Sequence, residues 1–420
     1  MYFLIPFSYF YIIYQKMVLT FNITKNIIVY VQIAKIIISE SIEISERGSF
    51  DLDILLITTI SGFLPKFLMQ DVQMLQEMGY TVHYASNFQN PVYECDRQAL
   101  EEEGIVCHDI PIAKSPLDMK ANLTALQQLN KIVDQYEIAA IHCNNPVGGV
   151  LGRLTSGRHR KPYVIYTAHG FHFYHGAPAK NWMIYYPAER FLAHRTNQLI
   201  TINHEDKTLS ERFRLRKHGS TTRIPGVGLD TQRFLPRIDM RAEYRKKIGL
   251  DEGCFVFLAV GELNNNKNHR TIIKAFSRIR KKNAKLLICG EGPCRGELQE
   301  LIAELKLSEQ VMLCGYQTRI EEYYQSADCF MFPSVREGLG MAAVEAMACG
   351  LPLIVGDNRG TREYAFENAI VCAPMDEEAF SEGMRKVMSD RKCAAAMGQK
   401  SLEIAAEFAR EKTAGVIMVS

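Results

Sequence analysis

PSVREGLGMAAVEAMACGLP, residues Pro333 to Pro352, is the stretch whose reading decides the rest of the chain. It follows a short apolar run, Cys329-Phe330-Met331-Phe332, which reads as a buried parallel strand. Gly338, Leu339 and Gly340 then form a turn in which neither glycine carries a Cβ, so backbone can approach a ligand closely there. Met341 to Ala348 is rich in Ala and Met and reads as a helix that Gly350 caps and Pro352 stops. Leu353 to Val355 is the next strand. A strand, a glycine turn and a helix in that order build an anion site, because the first free N–H groups of the helix and its dipole favour phosphate. Glu337 before the turn and Glu345 within the helix flank this site. A carboxylate cannot bind phosphate; it suits hydroxyl donors, which points to a sugar. A Gly-Leu-Gly turn alone also begins ordinary helices between solvated glutamates, and the longer string separates the two readings.

The full string resembles the signature of the retaining glycosyltransferases of family 4. In that signature a glutamate, seven residues and a second glutamate lie in a segment ending EAMACG-P, here Glu337, Glu345 and Ala346 to Gly350. The resemblance implies that Glu337 holds hydroxyls of the donor sugar and that Glu345 holds the nucleotide ribose.

Size and composition set the bounds. A chain of 420 residues exceeds one compact core and suggests two domains. With 47% hydrophobic and 23% charged residues it is an ordinary globular chain, and a net charge of +2 argues against a nucleic-acid partner bound by bulk charge. The 11 cysteines are scattered without CxxC pairs, and several lie in apolar runs where Cys acts as a small hydrophobe. This usage fits a reduced, cytoplasmic protein.

Residues 1–49 read unlike the rest. MYFLIPFSYFYIIY is apolar and aromatic but ends at Gln15-Lys16, short of the roughly 20 residues a spanning helix needs. An interfacial anchor, an irregular leader and translated sequence upstream of the true start are the three readings, and this leader is expected to be dispensable for folding and catalysis. From Asp51 strands alternate with helical patterns: Ile54–Ile57, then a helix to about Met78, then runs near Val82–Ala85, Val106–Ile110, Ile138–His142, Val164–Ala168 and Leu199–Ile202. A second set follows at Phe255–Val260, Leu286–Cys289, Val311–Leu313, Cys329–Phe332, Leu353–Val355 and Ile370–Cys372. The expected fold is α/β, two Rossmann-like doubly wound parallel-sheet domains facing a cleft, over 50–235 and 236–408. In family terms this is GT-B. Residues 409–420 are expected to cross back to the first domain, as the family's chain end does.

Three histidines at intervals of three, His169, His172 and His175, follow the Val164–Ala168 run in the sequence HGFHFYHGAP. Zinc is the sharp reading of that spacing, but no carboxylate or thiol stands near in sequence to complete a ligand set. The resemblance instead places His169 against the donor sugar, and HGFHFYHGAP looks like the family members that build bacterial exopolysaccharide and capsule. His172 then lies on the acceptor side or is a plain loop residue. Lys267, in GELNNNKNH, matches the family's phosphate lysine, while Glu262 stands where the family usually has arginine. Gly290 and Gly292 edge the nucleobase pocket or make a simple strand-to-helix turn. Ser61 and Gly62 occupy the place of the family's first glycine loop, on the acceptor side. Basic runs at Arg153–Lys161 and Arg212–His218 are solvated faces or, if they share a surface, a contact with anionic membrane.

The resemblance implies a metal-independent hexosyl- or N-acetylhexosaminyl-transferase with a nucleotide-sugar donor, UDP-sugar first, and no cofactor. His169, Glu337 and Lys267 would act on the reacting groups. Glu345, Gly338, Leu339, Gly340, Met341, Gly290 and Gly292 would hold the donor. The acceptor would be a glycan or polyprenyl-diphosphate-linked sugar at the inner face of the cell membrane, in exopolysaccharide or capsule synthesis. Two alternatives use the same architecture: a sugar-nucleotide epimerase, which needs no acceptor, and a non-catalytic glycan-binding partner subunit.

Overall fold

A computed structural model describes residues 52–410 apart from 90–91, 158–160, 280 and 282. The expectations for residues 1–49 and for the chain after Arg410 lie outside the described residues. Seven parallel strands form the first sheet: β1 (Leu52–Ile57), β2 (Tyr80–Ser86), β3 (Val106–Asp109), β4 (Ala140–Asn144), β5 (Tyr163–Ala168), β6 (Gln198–Thr201) and β7 (Ser220–Arg223). Their order is β3-β2-β1-β4-β5-β6-β7. Six more form the second: β8 (Phe255–Val260), β9 (Ala284–Cys289), β10 (Val311–Gly315), β11 (Cys329–Phe332), β12 (Leu353–Gly356) and β13 (Ala369–Cys372). Their order is β10-β9-β8-β11-β12-β13. Both sheets are doubly wound, as the alternation of apolar runs and helical patterns requires, with central strands buried on both faces.

Each sheet reverses its strand order once, between β1 and β4 and between β8 and β11. At such a reversal the two flanking connections leave in opposite directions and open a crevice beyond the strand ends. The loops that leave β1, β4, β8 and β11 therefore border this crevice, together with the end of β5. One apolar cluster runs continuously through both halves, from Ile202 and Ile224 to Leu339, Ala343 and Phe408. The sheets are thus joined by a shared core beside the crevice. Among the described residues no helix is long and apolar enough to cross a membrane.

Local departures from the sequence expectations have local causes. The helix expected to reach Met78 is broken at Leu68 into Phe63–Phe67 and Met69–Glu77, because Leu68 leaves helical geometry at φ −120, ψ 3. The run expected from Ile138 begins at Ala140, since the Ile138 N–H bonds back to Val133 and closes the preceding helix. β7, STTR, is polar and sits at a sheet edge, where backbone pairing and the bonds of Ser220 and Thr222 to Gln198 hold it and no apolar run announces it. Arg153 corrects the reading of its basic run: it is buried, bidentate on Glu189 at 2.6 and 3.1 Å, and stacked over Tyr166 at 3.8 Å. An arginine so occupied meets no membrane. Leu229 N–H bonds to Phe408 and Arg410 N–H to Leu229, so the last described residues pair with the linker after β7.

Candidate active site

β11 delivers the Pro333–Gly340 loop to the crevice, and Gly340 turns it at φ +91, a conformation open to glycine and costly for other residues. The Met341–Ala348 helix then starts with no side chain capping it and no acidic residue in its first turn. Its first N–H groups and positive dipole end are left for an anion. Leu339 is buried with its side chain against Gly226 of the linker, and the Met341 sulfur lies on the same side, so these two residues offer backbone rather than side chains. Gly338 corrects the expectation that its missing side chain makes room for a ligand. A Cβ there would collide with the carbonyl oxygen of His169, so the glycine admits the opposite loop.

Glu337 and Lys267 form one unit. The Lys267 Nζ lies 2.7 Å from a Glu337 carboxylate oxygen and 4.9 Å above the Phe332 ring. Both side chains are mostly shielded from water, at 20% and 13% exposed. At that depth each charge needs a partner, and each is the other's. An anionic ligand can compete for the lysine and release the carboxylate.

Across the crevice, β5 ends at His169. Its Nε2 sits 2.9 Å from the Oδ1 of Asn144, at the end of β4, and its ring meets Phe63 edge-on at 5.2 Å. Burial pulls the imidazole down to about 4, so it is neutral near pH 7. Asn144 is fully buried with its Nδ2 unpaired. It is aimed by Asn145, which takes φ +65 and ψ 164 just before Pro146 opens the next helix. Ser61 is buried with an unpartnered hydroxyl, and Gly62 lies under the Tyr93 carbonyl, where a Cβ would approach to 2.5 Å. His172 stacks on Tyr185 at 4.6 Å; burial lowers its pKa, and Arg336 and Arg359 across the crevice add to that. His175 binds Glu205 through its backbone N–H. The three histidines are therefore held by three different partners. Among the described residues no three His, Cys, Asp or Glu side chains converge as a metal would require.

Glu345 accepts a hydrogen bond from the Tyr324 hydroxyl at 2.9 Å. Burial raises its pKa, while the Tyr324 bond and the charges of Lys66, Arg233 and Arg410 oppose the rise. Gly290 and Gly292 both press on the turn after β8. Side chains there would collide with the backbone of Gly261 and Leu263, which is the simple-turn reading of these glycines.

Sequence reasoning passed over the group that ties the two sides together. Arg359 donates to the Glu337 carbonyl at 3.2 Å, to Asp206 at 2.6 Å and to the Phe171 carbonyl at 2.6 Å. It lies 4.8 Å over the Tyr174 ring. Asp206 also accepts from the Phe171 N–H and from Asn203, and Asn203 in turn donates to the Gly338 carbonyl at 3.0 Å. Burial raises the Asp206 carboxyl to about 6 against the pull of Arg359. No spacing rule flags an arginine that acts across halves of the fold. Asn144 had a weak signal, an Asn-Asn-Pro at a strand end, which marks a helix start.

Known proteins cover this whole arrangement. The profile "Glycosyl transferase 4-like" matches residues 54–203 and "Glycosyl transferases group 1" matches 240–403. EpsD of Bacillus subtilis (strain 168), which carries glycosyltransferase as a provisional title, is 36% identical over 367 residues, 86% of this chain and 93% of that protein. The chain belongs to glycosyltransferase family 4. This family 4 chain is also similar, at 29% identity over 61% of its length and 65% of the relative's, to the UDP-Gal:alpha-D-GlcNAc-diphosphoundecaprenol alpha-1,3-galactosyltransferase of Escherichia coli. Among solved structures, Anabaena HepE in complex with UDP and glucose superimposes with a TM-score of 0.72 at 18% identity, over 87% of this chain and 98% of that one. Sucrose-phosphate synthase from Thermosynechococcus elongatus gives 0.72 at 19% identity, over 86% and 96%. The fold of this family 4 glycosyltransferase is GT-B, with the crevice between its two sheets.

Proposed function

We propose that this enzyme transfers a hexosyl or N-acetylhexosaminyl group from a UDP-sugar, with retention, to a hydroxyl of a glycan carried on polyprenyl diphosphate. The observation that carries the reading is the Lys267–Glu337 pair beside an uncapped helix start and opposite a neutral His169. The donor diphosphate takes the Met341 end of the helix and Lys267, a preorganised cation for the leaving group's charge. Glu337, freed from the lysine, accepts hydrogen bonds from the sugar hydroxyls. The neutral His169 ring contacts the same sugar from the other side, and Glu345 holds the ribose with Tyr324 behind it. Gly290 and Gly292 support the base side, while Ser61, Gly62 and His172 face the acceptor. The anomeric carbon–oxygen bond to the diphosphate breaks and one to the acceptor oxygen forms. The acceptor proton leaves with the diphosphate.

The UDP assignment is supported by HepE, solved with UDP and glucose, and by the galactosyltransferase named for UDP-Gal. The lipid-linked acceptor is supported by that relative and by a Campylobacter jejuni relative, whose names both carry diphospho-undecaprenol. Exopolysaccharide or capsule synthesis at the inner face of the cell membrane is the setting that belongs to this proposal. Lys267 and the helix end serve the role a divalent cation fills elsewhere, so full activity is expected in excess chelator.

The test is a thermal-shift panel of nucleoside diphosphates followed by turnover of each UDP-sugar with and without a lipid-diphosphate glycan. Diphosphate release that depends on acceptor supports transfer. Interconversion of the free UDP-sugar without acceptor would show an epimerase instead.

A further inference from the structure

The Ala179–Ala193 helix, AKNWMIYYPAERFLA, leaves the His169–Gly176 loop and packs beside the Pro146–Leu154 helix. Its inward side is ordinary: Trp182 and Tyr186 pack on Phe173, and Leu192 and Ala193 are buried. Its outward side is not. Ile184 is 62% exposed, Phe191 59% and Met183 76%. Lys180, Ile184, Pro187 and Phe191 recur at four- and three-residue steps and so form one stripe, with Lys180 at its start and the exposed Arg195 just past the helix end. The helix has a single acidic residue, Glu189, and it is turned inward and held by Arg153. Next to the helix, Phe213 packs on Tyr186 at 5.6 Å, and Arg212, Arg214 and Lys217, near it in sequence, are exposed.

We propose that this outward face docks on the anionic surface of a lipid bilayer, with the helix lying in the plane of the interface. Apolar residues standing in water between cations, with no acidic residue free among them, match a surface that is apolar at depth and negative at the rim. A second copy of the chain fits poorly. Two copies paired face to face in antiparallel fashion would set Lys180 against Arg195 at both ends. Nucleic acid would satisfy the cations and leave Ile184 and Phe191 in water.

The helix is also fastened to the acceptor side of the crevice. Asn181 donates to the His172 carbonyl at 2.9 Å, Tyr185 stacks on His172, and Trp182 donates to the Tyr174 carbonyl at 3.2 Å. A bilayer holding this helix therefore fixes the His169–Gly176 loop relative to the membrane. This orientation rests on the reading of the acceptor as membrane-carried; the docking itself rests on the face alone.

Full-length protein is mixed with vesicles of phosphatidylcholine alone or with added phosphatidylglycerol. The chain has a single tryptophan, Trp182, so Ile184→Trp in a Trp182→Phe background puts one reporter on the stripe. With anionic vesicles the reporter is expected to shift to the blue and to be quenched by brominated acyl chains. Ile184→Asp with Phe191→Asp, and separately Lys180→Glu with Arg195→Glu, should each lower flotation with anionic vesicles by about tenfold or more. Melting temperature and acceptor-independent hydrolysis of a UDP-sugar should be unchanged, because none of these side chains reaches the crevice. A reporter indifferent to anionic vesicles, or variants that float like the unaltered protein, would overturn the proposal. So would sedimentation showing that the substitutions dissociate a dimer. Loss of all UDP-sugar turnover in the unaltered protein would strike the proposed function and leave vesicle binding as a separate result.

Discussion

At the scale of single residues, the pairing of Glu337 with Lys267 is the feature that a donor must rearrange. A carboxylate 2.7 Å from an ammonium balances its charge. Glu337→Gln keeps the shape and removes the charge. Losing a charged acceptor for a sugar hydroxyl costs on the order of 1–3 kcal/mol, so turnover should fall on the order of ten- to a hundredfold. Initial rates on the best UDP-sugar check this, with melting temperature as the control; equal rates in a folded variant would remove Glu337 from the site. Glu345 differs because the Tyr324 hydroxyl already donates to one of its oxygens. Glu345→Gln should act chiefly on donor affinity.

At the scale of elements, the Gly338 turn and the end of β5 meet backbone to backbone. Gly338→Ala would drive a methyl group into the His169 carbonyl and pry the two loops apart. Overpacking of this kind costs about 1–3 kcal/mol. Because the strain falls between His169 and Glu337, turnover should drop further than stability does. Gly296→Ala is the matching control: it lies in the Arg295–Glu304 helix with open space around it. That change should leave turnover alone and hold or raise the melting temperature, since alanine is the better helix former. Rate and melting measurements on both variants separate a local clash from a general loss of glycine.

At the scale of the whole molecule, Arg359 and Asp206 join the two halves through a buried ion pair, and removing one partner of such a pair costs about 3–5 kcal/mol. Arg359→Met should lower the melting temperature and turnover together. Adding Asp206→Leu should recover stability, because no uncompensated carboxyl remains buried. It should not recover turnover, because the Phe171 and Glu337 carbonyls have lost their common donor. Scanning calorimetry and rates on both variants test this.

Acid provides a second whole-molecule test. Burial lowers the pKa of His83, His108, His142, His169, His172 and His269. A lowered histidine binds its proton less readily folded than unfolded, so stability present above about 6.5 is lost as the pH falls toward 4. Asp71, Asp206 and Glu345 are raised and work the other way, since the folded chain holds their protons at pH values where the unfolded chain has released them. Each unit of displacement is worth about 1.4 kcal/mol, and the histidines outnumber the carboxyls. Denaturant midpoints should therefore fall between pH 6.5 and 4; a flat profile would mean that these imidazoles are not buried in solution.

The sequence alone determined the two sheets and the loop and helix that carry Glu337 and Glu345. The run Cys329–Phe332 and the helix Met341–Ala348 stand where their apolar pattern and their Gly and Pro stops put them. Periodicity is local, and so is the spacing of Glu337, Gly338, Gly340 and Glu345 on one loop and helix. Lys267 and His169 were legible only through likeness to a family, because their meaning depends on a strand order that no short window contains. Tertiary structure decided the rest. It seated the Lys267 ammonium on Glu337, filled the space beside Gly338 with the His169 carbonyl, buried Arg153 against Glu189, and drew Arg359 to Asp206. Each joins groups far apart in the chain, and which buried charge finds which partner is fixed only when both sheets have packed.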